Sequence, residues 1–114
     1  MEVHKTLGNG YEEKIYQRAL AIELKAADIE FYRESEMKIF YKEQHIGSRR
    51  VDFLIEGFIS VELKASSKLE AVDFAQALNY LEIHNLEIGL LVNFGQLSLV
   101  FRRLSNKKYR PATE

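Results

Sequence analysis

The sequence predicts a mixed α/β domain, an α+β arrangement with helices packed on a mixed sheet. Three observations carry this. An apolar pattern of helical period runs from about Tyr11 to Ala27. Two strand patterns, 48–55 and 58–64, flank Glu56-Gly57 as a hairpin. The near-continuous apolar run "EIGLLVNF" follows a second helical stretch and has the character of a strand buried on both faces.

The elements follow in order. "LGNG", Leu7 to Gly10, marks a turn before the first helix. In that helix Ile15, Ala19, Ile22 and Ala26 form one stripe, with Tyr16, Leu20 and Leu24 beside it. One turn before Tyr16, Glu13 falls at the N-terminal end of the apolar face. "IEFYRE" and "MKIFYK" are predicted as two short strands, with "KEQHIG" as a hairpin turn. After 48–55 and 58–64 comes a helix from about Lys68 to His84, then "EIGLLVNF", then a last strand in "LSLVFRRL". The predicted order is one helix, three or four strands, a helix and two strands.

At 114 residues the chain is long enough for one domain, 1–114, and for a core that needs no staples. It has no cysteine, which excludes disulfides and thiolate metal sites and fits a cytoplasmic protein. No run reaches membrane-spanning length, and "MEVHKTLGNG" has no secretory apolar core, so no membrane partner is expected. Net charge is −1, but it is uneven: five basic residues and no acid lie between Arg102 and Arg110. The stretch from about 104 to 114 is expected to be a basic tail open to disorder, able to touch a phosphate backbone.

Three charges interrupt the apolar hairpin: Asp52, Glu62 and Lys64. Strand side chains alternate, so Ile59, Val61 and Leu63 share one face while Ser60, Glu62 and Lys64 share the other. Glu62 and Lys64 then stand roughly 6–7 Å apart. A tight Glu56-Gly57 turn would set Asp52 opposite Val61. A three-residue connection, Glu56 to Phe58, or a bulge, sets Asp52 opposite Glu62. Opposed carboxylates repel unless a cation lies between them. Hard divalent cations take oxygen ligands, and Asp52, Glu62 and the main-chain carbonyl of Leu63 can supply three. A cation-bound water becomes a usable nucleophile, with Lys64 placed to orient it and to screen a phosphate. These parts suit phosphodiester hydrolysis.

At these residues the sequence resembles a known family. "VDFLIEGFISVELKA" is similar to the D-x(n)-(D/E)-x-K core of the PD-(D/E)XK nuclease superfamily. Gly10-Tyr-Glu-Glu13-Lys-Ile-Tyr16 matches the naming motif of one branch, the GxxExxY proteins, and "EVHKTLGNG" and "AQALNYLEIHNLEIGLLVNFG" also resemble that branch. The resemblance covers Glu2 to about Arg103. It implies a restriction-endonuclease-like α-β-β-β-α-β core, here with an extra C-terminal strand. It implies Mg²⁺ or Mn²⁺ on Asp52 and Glu62, Lys64 as the catalytic lysine, and Glu13 as a further ligand or water-orienting base. Gln76 and Tyr80 match a Q-x-x-x-Y element and share a helix face; the resemblance implies that they contact the scissile phosphate or hold Lys64. It further implies a nucleic-acid partner, DNA ahead of RNA. Val51 stands where the superfamily's proline precedes the aspartate. Relatives carry a longer opening helix, so a homodimer mate or protein partner is expected over the shortened N-terminus.

Blander roles stand beside these. Glu13 can be a first-turn acid favoured by the helix dipole. Asp52 and Glu62 can guard a strand edge. Lys64 can pair with Glu62, and Gln76 and Tyr80 can be ordinary helix residues. The alternative to a nuclease is a non-catalytic module of the same fold that binds nucleic acid or a protein.

Overall fold

The computed structural model describes residues 1–112, which leaves the last two residues of the expected basic tail outside the described part. The element order is α1 (Glu2–Leu7), α2 (Glu13–Ala26), β1 (Phe31–Tyr41), β2 (Gln44–Ile55), β3 (Ile59–Lys64), α3 (Ala71–His84), β4 (Ile88–Asn93) and β5 (Val100–Ser105). The five strands lie side by side in chain order. β1, β2 and β3 form an antiparallel meander, α3 carries the chain to β4 parallel to β3, and β5 returns antiparallel. The mixed sheet expected from the sequence is therefore present. Among the described residues no helix is long and apolar enough to cross a membrane.

Each face of the sheet has its own core. Tyr16, Ala21 and Leu24 of α2 bury against Phe53, Val61, Leu63 and Val92, with Val3 of α1 and Phe94 completing the cluster. On the other face Tyr80 and Leu81 of α3 pack with Val51, Leu54 and Leu86. The alternation expected in β3 holds. Val61 and Leu63 face α2, whereas Ser60 lies under Leu81 of α3 beside Gly89, where a Cβ would come within 2.6 Å of the Ser60 hydroxyl oxygen. Gly89 lets β4 pass beneath α3.

Four features depart from the sequence reading. In α2 the buried face is Tyr16, Gln17, Ala21 and Leu24; Ile15 and Ile22 are exposed, Ile22 by two thirds. Gln17 hid this, because a polar residue does not register as part of an apolar stripe. The two short strands merge into one, since the ladder to β2 continues past Glu34, whose φ of 54° bends the strand without ending it. Helix α3 starts at Ala71 and not at Lys68: Glu70 caps it, exchanging hydrogen bonds with Asp73 in a capping box. The tail is tied down as far as it is described. Buried Asn106 donates to the carbonyls of Leu81 and Leu86, and Arg110 exchanges main-chain hydrogen bonds with the Asn85 side chain.

The hairpin connection is the odd one. Ile55 pairs with Ile59, Leu54 with Ser60 and Phe53 with Val61, so the loop is Glu56, Gly57 and Phe58. Glu56 and Gly57 both take positive φ, 52° and 80°, and Phe58 N–H closes the turn on the Ile55 carbonyl at 3.1 Å. Continued by one step, this register brings Asp52 level with Glu62.

Candidate active site

The ladder between β2 and β3 stops at Phe53–Val61, and Asp52 is the reason. Its side chain occupies the place of the next main-chain acceptor: Oδ2 accepts the Leu63 N–H at 2.7 Å. Oδ1 accepts Gln17 Nε2 of α2, also at 2.7 Å. Asp52 thus turns into the gap between the strands, where the sequence reading had set it squarely on one face with Glu62. The two strands fork at this point. Consecutive carbonyls of a strand point to opposite sides. The Lys64 carbonyl accepts Phe94 N–H on the β4 side, so that of Leu63 points towards the fork.

Glu13, Asp52, Glu62, Leu63, Lys64 and Gln76 line a single open cleft of about 280 Å³ at this fork, with Ser48, Arg49 and Arg50 along its β2 wall. A second hollow, about 300 Å³, shares Glu13, Arg50 and Asp52 and extends the surface past Lys14, Gln17 and Glu34. Glu13 opens α2 after an extended Glu12. That start is fixed by Tyr16, fully buried, whose hydroxyl donates to the Gly8 carbonyl at 2.6 Å and accepts the Tyr11 N–H at 3.1 Å, and whose ring stacks on Phe94 at 4.5 Å. Burial raises the Glu13 carboxyl above the ordinary range; Lys64 opposes this, while Asp52 and Asp73 add to it. Glu62 is buried in β3. Its carboxyl is likewise pushed up by burial, against the pull of Arg49 and Lys64, with Asp52 again raising it. Arg49 Nη2 lies 3.2 Å from Glu62 Oε1.

Lys64 ends β3 with its ammonium 3.7 Å from Asp73 Oδ1, in the first turn of α3. Beyond it Asn93, with no exposed surface, clamps the ends of β3 and β4. Its Oδ1 accepts the Ser66 and Gly95 N–H groups, and its Nδ2 donates to the Ser66 carbonyl and to Gln96 Oε1. Gln76 offers its main-chain carbonyl to Arg49 at 3.0 Å. Tyr80 does not line the cleft: the fully buried ring sits one turn further along α3, its hydroxyl beside Ser35 without a well-formed hydrogen bond. Buried there, it does not reach a phosphate in solvent.

The sequence missed Gln17, Asp73, Asn93 and Glu34, which hold Asp52, Lys64, the strand ends and the rim. Glu34 pairs with Lys14 and with Arg50 at 3.1 Å, and these cations lower its carboxyl. The usable signal for Gln17 was a glutamine on the same helical face as Tyr16, Ala21 and Leu24.

Chemically the fork offers oxygen donors and one primary amine. Carboxylates and a carbonyl suit a hard divalent cation such as Mg²⁺ or Mn²⁺. Among the described residues no group of three or more His, Cys, Asp or Glu side chains gathers closely enough to hold a metal. The oxygen donors that the fork could offer a cation are those of Asp52, Glu62 and the Leu63 carbonyl.

Comparison with known proteins shows the family and the fold. The family model for the PD-(D/E)XK nuclease superfamily matches residues 1–104. Among solved structures the chain is similar to the crystal structure of SSO0001, with a TM-score of 0.63 and 20% identity over 82% of this chain. The chain spans half the length of that protein, and at this identity the likeness is one of fold. No curated protein matches the chain.

Proposed function

The chain belongs to the PD-(D/E)XK nuclease superfamily, and from that premise we propose that it hydrolyses phosphodiester bonds of nucleic acid, DNA ahead of RNA, with a divalent cation. One observation carries the reading: the β2–β3 ladder opens at Asp52, beside the buried carboxylate of Glu62 and within reach of Lys64. A superfamily of nucleases also supplies the partner class. The branch named for GxxExxY is part of the proposal, on the match at Gly10, Glu13 and Tyr16.

In this reading Asp52, Glu62 and the Leu63 carbonyl hold Mg²⁺ or Mn²⁺. When bound, the cation supplies polarisation of the phosphate and a lowered pKa for a water. The chain's own residues do the rest. Gln17 and the Leu63 N–H fix the Asp52 carboxylate so that no reorganisation is needed on binding. Lys64, steadied by Asp73, directs its ammonium to the attacking water and the phosphate oxygens. Glu13, with its carboxyl raised, accepts a hydrogen bond or a proton from that water. Gln76 lines the wall, and Tyr80 acts from the core by packing under β2 and not by touching substrate. Lys14, Arg50 and the basic stretch after Arg102 are phosphate contacts in this account. A homodimer mate or partner protein would seat on the hollow between α1 and α2 lined by Val3, Leu7, Ala19 and Ile22.

The test is cleavage of supercoiled, linear and single-stranded DNA with Mg²⁺ or Mn²⁺, with Asp52→Ala and Lys64→Ala as controls. Cation-dependent cleavage lost in both variants supports the assignment; cleavage that survives both overturns it. One feature favours a second reading, a binding module without catalysis: Glu62 already carries the Arg49 counter-charge. That reading expects DNA retention with no cleavage under any cation.

A further inference from the structure

Arg49 is the residue that the proposed reaction leaves unused, and its geometry is unusual. Its side chain is one quarter exposed and enters the cleft from β2, on the side of α3. A single terminal nitrogen, Nη2, serves both Glu62 Oε1 at 3.2 Å and the Gln76 carbonyl at 3.0 Å. Nε is buried and has no acceptor. A guanidinium built for a permanent ion pair meets a carboxylate with two parallel hydrogen bonds and satisfies its remaining donors. This one is held end-on and leaves a donor orphaned.

Glu62 explains why the contact exists. Its side chain is 8% exposed, and a carboxylate so placed needs a cation to remain ionised. Arg49 provides one in the absence of metal. A divalent cation on the same carboxylate would provide another, and the two positive groups would repel at that separation. Resting on the assignment of Asp52 and Glu62 as cation ligands, we propose that Arg49 is a resident counter-ion that competes with the divalent cation for Glu62, and that the displaced guanidinium becomes a contact for the substrate phosphate. The fork of an arginine matches a phosphate as well as a carboxylate, and the cleft that would receive it already presents Arg50 and Lys64. Glu62 is thereby neutralised in both states, and the cation that arrives with substrate frees the group that binds it.

Two measurements test this. In the unaltered protein, phenylglyoxal labelling of Arg49, read by peptide mass mapping, should run several-fold faster in Mg²⁺ than in EDTA. In calorimetric titration with Mn²⁺, Arg49→Met should bind roughly tenfold tighter than the parent, because the competitor is gone. With Ca²⁺ present the same variant should bind a DNA oligonucleotide several-fold more weakly. If the parent binds Mn²⁺ and Glu62→Gln abolishes it, but labelling is indifferent to Mg²⁺ and Arg49→Met binds Mn²⁺ equally or less well, this inference falls and the cation site stands. If neither parent nor variant binds Mn²⁺, the cation site falls and takes the inference with it.

Discussion

Asp52→Ala in the absence of metal separates a built-in carboxylate from a surface one. Asp52 accepts two hydrogen bonds at 2.7 Å, from the Leu63 N–H and from Gln17 Nε2, and Gln17 is itself buried. Removing the carboxylate strands both donors, at about 1–3 kcal/mol each. Asp52 also raises the carboxyls of Glu13 and Glu62, so its loss relieves some repulsion. The net cost is about 2–3 kcal/mol, or on the order of 10 °C in melting temperature for a domain of this size. Asp52→Asn should cost about 1 kcal/mol. Gln17 Oε1 is buried without a partner, so a flip of its amide lets Gln17 accept from the new Asn while the Asn oxygen still serves Leu63. Urea denaturation in EDTA at neutral pH measures both. A midpoint for Asp52→Ala within about 0.5 kcal/mol of the parent, as a surface acid would give, refutes the account of the fork.

Three other outcomes follow from the same geometry. The Glu13 carboxyl is raised by burial, so between the ordinary value of 4.5 and its folded value the native chain holds more protons than the unfolded one. Stability therefore falls as pH rises through that window, and Glu13→Gln, measured against parent by urea midpoint, should gain steadily from acid to neutral pH; a constant difference contradicts this. Gly95→Ala should lower the melting temperature by more than about 10 °C, since its Cβ would meet Ser66 N and O at 2.4 Å, main-chain atoms that cannot yield. Tyr16→Phe loses the hydroxyl that joins Gly8 to Tyr11 and should cost about 1–2 kcal/mol in chemical denaturation, with faster amide exchange across 8–12 as its local mark.

The sequence carried the fold because its strands and helices have opposite periods and its one parity problem had a definite answer. Asp52, Glu62 and Lys64 demanded a three-residue Glu56–Phe58 connection if they were to meet, and the register is that of such a loop. Glu13 was legible from one step along a helix. What escaped were residues whose partners lie far along the chain. Gln17 finds Asp52 across 35 residues, Arg49 finds Gln76 across 27, and Asn93 finds Ser66 across 27. No local pattern announces such a pair. Tyr80 misled for the opposite reason. It shares a helix face with Gln76, but one turn carries it from the cleft wall to the core beneath Val51.

The proposed divalent-cation site for phosphodiester hydrolysis is the fork between β2 and β3. Crystals soaked with Mn²⁺ and measured at its absorption edge test it most directly. The expected result is an anomalous peak bounded by Asp52, Glu62 and the Leu63 carbonyl, with the Arg49 guanidinium moved off Glu62. Full-strength Mn²⁺ elsewhere on the protein, or none at all with Arg49 still on Glu62, would contradict it.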